Sequence, residues 1–200
     1  MLNNLREAFR ERRRAGACQQ VLTDEEFWVH DPPPPAADPC GAHPTPPHPV
    51  YDLQVRNPDQ RPVHLILTDK CLYLDVNNPE TDPGRCDCVL LLPDERAYFV
   101  AFKKPRAERE VMSQGDDRYR RAAECVGQLE QTIKEFARHG IITSQTPVLA
   151  HACVGHTRQR PYPGASYSEL SESFRLRFAG LKLRVKLIVL NTIEIPLRQA

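Results

Sequence analysis

Nowhere in its 200 residues does the chain hold even 18 consecutive apolar residues, so no stretch is suited to cross a bilayer as a helix. Its first twenty residues carry five arginines and no apolar signal core, so no secretory leader is expected and a cytoplasmic location follows. Excess charge is also missing. Lys and Arg number 27 against 26 Asp and Glu, a net of +1, so bulk charge selects no partner. A polyanion site would have to come from local clustering of the cations. The sequence contains no Ser-His-Asp signature, no P-loop and no glycine-rich dinucleotide turn, which removes the enzyme classes built on them.

What is present suffices for one core: 40% hydrophobic residues against 26% charged. The seven cysteines are odd in number and irregular in spacing, and several sit in apolar, strand-like runs. They read as reduced thiols of an intracellular protein, used as small buried hydrophobes rather than as a disulfide framework. A zinc site from Cys86, Cys88, His151, Cys153 and His156 lacks the usual knuckle spacing, and core filling is the better reading.

Leu2, Leu5, Ala8 and Phe9 recur at helical spacing among Arg6, Glu7, Arg10 and Glu11, which predicts an amphipathic helix ending near Arg12-Arg13-Arg14. Its apolar stripe needs a cover, so self-association or docking on a larger complex is expected. Thr23-Asp24-Glu25-Glu26 ahead of Phe27, Trp28 and Val29 predicts a second short helix. From Pro32 to Pro49 nine of eighteen residues are proline, a composition that predicts a polyproline-like tether. The expected organisation is therefore a helical arm over 1–31, a tether over 32–50 and a folded domain over 51–200.

Within that domain, strands are expected at 63–68, 71–76, 86–92, 97–103, 148–154 and 183–190, with a short final one around Ile193 and Ile195. Pro93-Asp94-Glu95-Arg96 reads as the tight turn that makes a hairpin of 86–92 and 97–103. The longest helix spans 117–139, with Ala122, Val126, Leu129, Ile133 and Phe136 on one face and Gly140 as its stop, and another covers 168–178. The fold class is α/β: a mixed central sheet with a core β-hairpin, flanked by helices.

Asp87 opens one strand of that hairpin, and Ala101 and Lys103 share a face near the end of the other. An acid, a hairpin, a lysine and then a long helix resemble the PD-(D/E)XK nuclease superfamily, whose pattern is an Asp followed at a distance by Glu (or Asp)-x-Lys. The resemblance covers about residues 60 to 190 and implies a restriction-endonuclease-like fold. It implies Asp87 as a metal ligand, position 101 as the second ligand and Lys103 as the cation that orients water or phosphate. Gln128 falls on the helix that follows the motif in that family. Some members add an acid from the N-terminal helix, a role open here to Glu7, Glu11, Glu25 or Glu26.

The implied activity is hydrolysis of DNA phosphodiester bonds with Mg2+ (or Mn2+), as in restriction, repair or antiviral defence. Position 101, however, is alanine. Magnesium wants hard oxygen ligands in a tight shell, and a metal held by paired acids lowers the pKa of the attacking water. With Ala101 either the second acid has been substituted away, leaving an inactivated nuclease, or the fold is kept as a module that binds nucleic acid or a protein. A third reading makes Asp87 and Lys103 a plain cross-strand ion pair. Lys104, Arg106 and Arg109 lead away from the motif, Arg118 opens the long helix, and Arg158 and Arg160 flank a proline-rich loop. Arg175, Arg177, Lys182, Arg184 and Lys186 crowd the last third. Together they suggest phosphate-backbone contacts.

Overall fold

Runs rich in Val, Leu and Ile, broken by proline and turn residues, fold into strands here, and the two long amphipathic stretches into helices. A computed structural model of the chain describes residues 1–11, 18–32, 38–48, 52–74, 84–92, 96–103, 116–155 and 165–197. In chain order its elements are α1 (Leu2–Ala8), β1 (Phe9–Glu11), β2 (Gln19–Leu22), β3 (Glu26–His30), β4 (Gly41–His43), β5 (Leu53–Arg56), β6 (Val63–Leu67) and β7 (Leu72–Leu74). They continue with β8 (Cys88–Leu92), β9 (Arg96–Phe102), α2 (Asp116–Arg138), β10 (Val148–Cys153), α3 (Ala165–Leu176), β11 (Val185–Ile188) and β12 (Thr192–Glu194).

Six strands form a mixed sheet in the order β11-β10-β9-β8-β6-β2. Strands β9, β10 and β11 run parallel, and β9-β8, β8-β6 and β6-β2 are antiparallel. The parallel steps are the ones that need helical crossovers, which α2 and α3 supply. Four strands make a second mixed sheet, β12-β5-β3-β4, and β1 pairs with β7. Every residue of β8 and all of β9 beyond Arg96 are buried, so this hairpin is covered on both faces. Phe99 meets Phe136 of α2 edge-on at 5.1 Å, which assigns Ala97, Phe99 and Ala101 to the helical side by alternation. Tyr98 and His151 face the other way, toward the four-stranded sheet, and line a cavity with Gln54 of β5 and Thr192 of β12. Among the described residues no helix is long and apolar enough to cross a membrane.

The chain is thus mixed α/β, with two larger sheets where one was expected. The expected hairpin, both long helices and the strands after residue 60 are present; the turn at 93–95 lies outside the described residues. Gly140 ends α2 with φ 64° and gives its N–H to the Ala137 carbonyl, and the side chain of Asn4 ties α1 to the Gly140 carbonyl at 2.8 Å.

The first fifty residues differ more from their sequence reading. The helix expected after Thr23 is strand β3, because Phe27 and Val29 are buried and alternate with more exposed neighbours, a period of two that outweighs the capping signal. The first helix stops at Ala8, and Phe9 turns extended to pair with Leu74. Its stripe is covered inside the chain: Leu5 and Phe9 are each 4% exposed, with Phe9 against Phe136. Within the proline-rich stretch, β4 pairs with β3 and Cys40 is buried.

The reduced-thiol expectation is corrected at one pair. Cys18, at the start of β2, and Cys71, ahead of β7, are disulfide-bonded with Cα atoms 5.6 Å apart. The other five cysteines are free and buried, as core filling requires. Denatured without reductant, the chain is expected to expose five thiols to a thiol reagent rather than seven. Replacing Cys18 and Cys71 by serine should cost the oxidised protein about 2–4 kcal/mol in a denaturant melt.

Candidate active site

The start of β8 is fastened to α2 before Asp87 is reached. Arg85 gives Nε to Glu135 Oε2 at 2.9 Å and Nη1 to the Leu72 carbonyl at 3.2 Å, and its guanidinium lies 5.3 Å from the Phe9 ring centroid. Both members of this ion pair are almost wholly buried. The next residue, Cys86, donates its N–H to Thr132 Oγ1 at 2.9 Å. These contacts fix the height of the Asp87 backbone along α2.

Asp87 then grips β9 on both sides of Ala101. Its N–H goes to the Val100 carbonyl at 2.9 Å, and its Oδ2 accepts the Phe102 N–H at 2.6 Å. The carboxyl group is 8% exposed, and Oδ1 makes no hydrogen bond among the described residues. Burial pushes its pKa up to about 7; the nearby charges of Asp31 and Asp69 add to the rise, while the Phe102 N–H and Lys103 oppose it. Lys103 continues the ladder by donating its N–H to the Cys153 carbonyl at 3.0 Å. It shares Ala101's side of β9 by alternation, and its side chain has no carboxylate within ion-pair distance among the described residues. The proposed cross-strand ion pair with Asp87 is therefore not made; only the longer-range field of Lys103 reaches the carboxyl.

The helix α2 closes the site. Cys125 Sγ lies 3.5 Å from the Ala101 carbonyl, and Thr132 holds Cys86. Gln128 is three residues after the first and four before the second, so it lies on the same face of α2 between them. Its Oε1 is buried and has no hydrogen-bond partner among the described residues.

The other expected site residues fall elsewhere. Glu26 accepts from the Gln54 side-chain amide and faces Arg56 at 3.6 Å on the four-stranded sheet. The acid from that strand that reaches Asp87 electrostatically is Asp31, five residues on and roughly 16 Å along an extended chain. Asp31 and Asp69 were missed by the sequence reading, since Thr68-Asp69-Lys70 signalled only a turn and Asp31 stood at the edge of the proline run. Lys104, Arg106, Arg109, Arg158 and Arg160 lie outside the described residues, as do Glu11 and Arg118 in their side chains. Of the later cations, Arg175 pairs with Glu172 and Arg177 with Glu130, while Lys182, Arg184 and Lys186 are exposed.

As a metal centre the present donor set falls short. Asp87 is a single carboxyl, near half-protonation at neutral pH, and no three His, Cys, Asp or Glu side chains gather as a metal-holding group among the described residues. That does not suit Mg2+, which takes several hard oxygens. Burial pushes the Cys86 thiol up to about 12 and holds Cys88, Cys125 and Cys153 well above the usual range, so without a metal they stay protonated.

Two outcomes test this arrangement. Because the folded pKa of Asp87 exceeds its ordinary value of 3.8, the folded state binds the extra proton between about pH 4 and 7, and stability falls as pH rises through that window. Asp87→Asn keeps an acceptor for Phe102 and should stabilise the protein at pH 8 by on the order of 3–4 kcal/mol, with no gain at pH 4, in urea melts. Glu135→Ala strands the buried Arg85 and should cost about 3–5 kcal/mol at any pH in the same assay. Comparison with family models, with curated proteins and with solved structures finds no match to this chain.

Proposed function

We propose that this chain is a nuclease-type module of the PD-(D/E)XK kind, arrested at its second acid, that engages DNA without hydrolysing it. The reading rests on one observation: Asp87 brackets Ala101 through the backbone groups of Val100 and Phe102, with Lys103 two residues on. A carboxylate at 101 would face α2 and give the site the second hard ligand it lacks. The activity of the completed site is hydrolysis of DNA phosphodiester bonds with Mg2+ or Mn2+. The metal would supply a water of lowered pKa and neutralise charge on the phosphate. Asp87 would hold it, Lys103 would orient water or phosphate, and exposed Lys182, Arg184 and Lys186 would be among the cations available to the backbone.

As it stands the chain is a binding module, a reading favoured by the raised pKa of Asp87, which keeps the lone acid largely uncharged below pH 7. Its DNA affinity should then fall steeply with salt in a gel-shift titration.

The decisive test is to complete the site. Ala101→Glu is expected to nick or linearise plasmid DNA with Mg2+ or Mn2+, while the unaltered chain and Ala101→Gln leave it intact. Adding Lys103→Ala to Ala101→Glu should cut the rate by roughly a hundredfold or more. Because position 101 is fully buried against α2, Ala101→Glu is also made with Cys125→Ala, and with Asp in place of Glu, to relieve crowding. Folded variants that bind no metal and cleave neither single- nor double-stranded DNA would remove the nuclease reading.

A further inference from the structure

The C-terminal ends of α2 and α3, with the 3₁₀ turn Ala179–Leu181 that follows α3, open onto one groove of about 820 Å³. Buried Ile142 and Leu183 give it an apolar floor, and Leu181 lines it while remaining 45% exposed. Lys134, Arg138, Arg177 and Lys182 add four cations, and among the described residues no acid joins the lining. Part of this charge is already used: Glu130 takes Lys134 Nζ and Arg177 Nη1, each at 2.6 Å. Cations are also favoured at helix ends, where the last carbonyls carry partial negative charge. Arg138 and Lys182 are left over, exposed and with no carboxylate within ion-pair distance among the described residues. Lys182 moreover takes φ 55°, ψ 25°, a left-handed conformation that glycine adopts with less strain. Helix dipoles also leave unexplained an exposed leucine set directly before it.

Charge and shape narrow the occupant. Among the described residues the lining holds no aromatic side chain on which a base could stack. A phosphate backbone would also press its dense charge against three helical C-termini. An anionic membrane surface is broad and flat, and would leave a concave floor uncovered. An extended acidic peptide meets each feature. Its spaced carboxylates pair with the ends of long cationic side chains, and an apolar side chain fills the floor. Its N–H groups can bond to carbonyls that have no partner in the last turn of a helix, which a phosphate cannot do.

We propose that this groove docks an acidic segment of a partner protein, with one apolar side chain seated on Ile142 and Leu183 and flanking carboxylates on Arg138 and Lys182. The proposal does not rest on the nuclease reading, which stands on Asp87 and β9. Lys182 is the one residue that both use, so DNA enters the test as a competitor.

The experiment presents the full chain, at physiological salt, with an array of short labelled peptides. Each carries several Asp or Glu residues and one Leu, Ile, Met, Phe, Tyr or Trp whose position varies, and binding is read by fluorescence anisotropy. At least one peptide should bind with a Kd below about 100 μM, and exchanging its apolar residue for serine should weaken it about tenfold or more. Arg138→Gln combined with Lys182→Gly should weaken the same peptide about tenfold or more. Glycine suits the left-handed backbone at 182, so a thermal melt should show this variant folded. Gly180→Trp fills the groove from a position where an added Cβ meets nothing within 4 Å, and should abolish binding while the melt stays as it was. Duplex DNA should not displace the peptide. Absence of any peptide binding tighter than about 1 mM, binding that both variants leave unchanged, or equal binding of the serine-substituted peptides would overturn the proposal. So would displacement by DNA, or binding to phosphatidylserine vesicles in place of the peptides.

Discussion

Asp87 gives its N–H to Val100 and takes the N–H of Phe102 on its carboxyl, joining the start of β8 to the end of β9 around a residue that has no side chain beyond Cβ. The hairpin carrying this grip is covered on both faces, so a carboxyl group there is costly unless it is hydrogen-bonded or protonated. Both remedies are in use: one oxygen is bonded to the backbone, and the pKa is raised to about 7. The buried Arg85–Glu135 pair and the Thr132 bond to Cys86 keep the strand in register with α2. Remove the grip, and the hairpin end loses the feature that distinguishes it from ordinary core.

The two faces of the central sheet carry different chemistry for a topological reason. Helices α2 and α3 are crossovers between parallel strands and cover one face, on which Phe99, Ala101 and Lys103 project. The four-stranded sheet approaches the other, and where β10 and β11 run past its edge the gap is lined by Tyr98, Leu149 and His151. Alternation along β9 and β10 thus turns Phe99 and Ala101 toward α2 and Tyr98, Leu149 and His151 toward the cavity on the other face.

The region past residue 60 was legible because its signals are long-range in period and short-range in sequence. α2 shows a repeating apolar face, Gly140 takes the left-handed turn that ends it, and β8 and β9 are continuous apolar runs. The singling out of Asp87 and Lys103 came from the family resemblance, and the burial of Asp87 was not legible in it. The first fifty residues were not. Thr23-Asp24-Glu25-Glu26 mimics a helix start, and only the pairing of Phe27 and Val29 with β5 decides for a strand. Proline suggested a tether, yet three residues between prolines sufficed for β4, since an edge strand needs ladder bonds on one side only.

Sequence by itself determined the hydrophobic periodicities, the near-zero charge, and the identity of residues 87, 101, 103 and 128, because these are local properties of the chain. Tertiary structure alone decided that Cys18 meets Cys71 and that Asp31 and Asp69, rather than Glu26, act on Asp87. It also decided that His151 is buried on the face turned toward the four-stranded sheet. Each of these depends on contacts between segments many residues apart, set by which strands pair and which faces meet. Burial, which turns Asp87 from a solvated charge into a group with a pKa near 7, does not exist until those layers close.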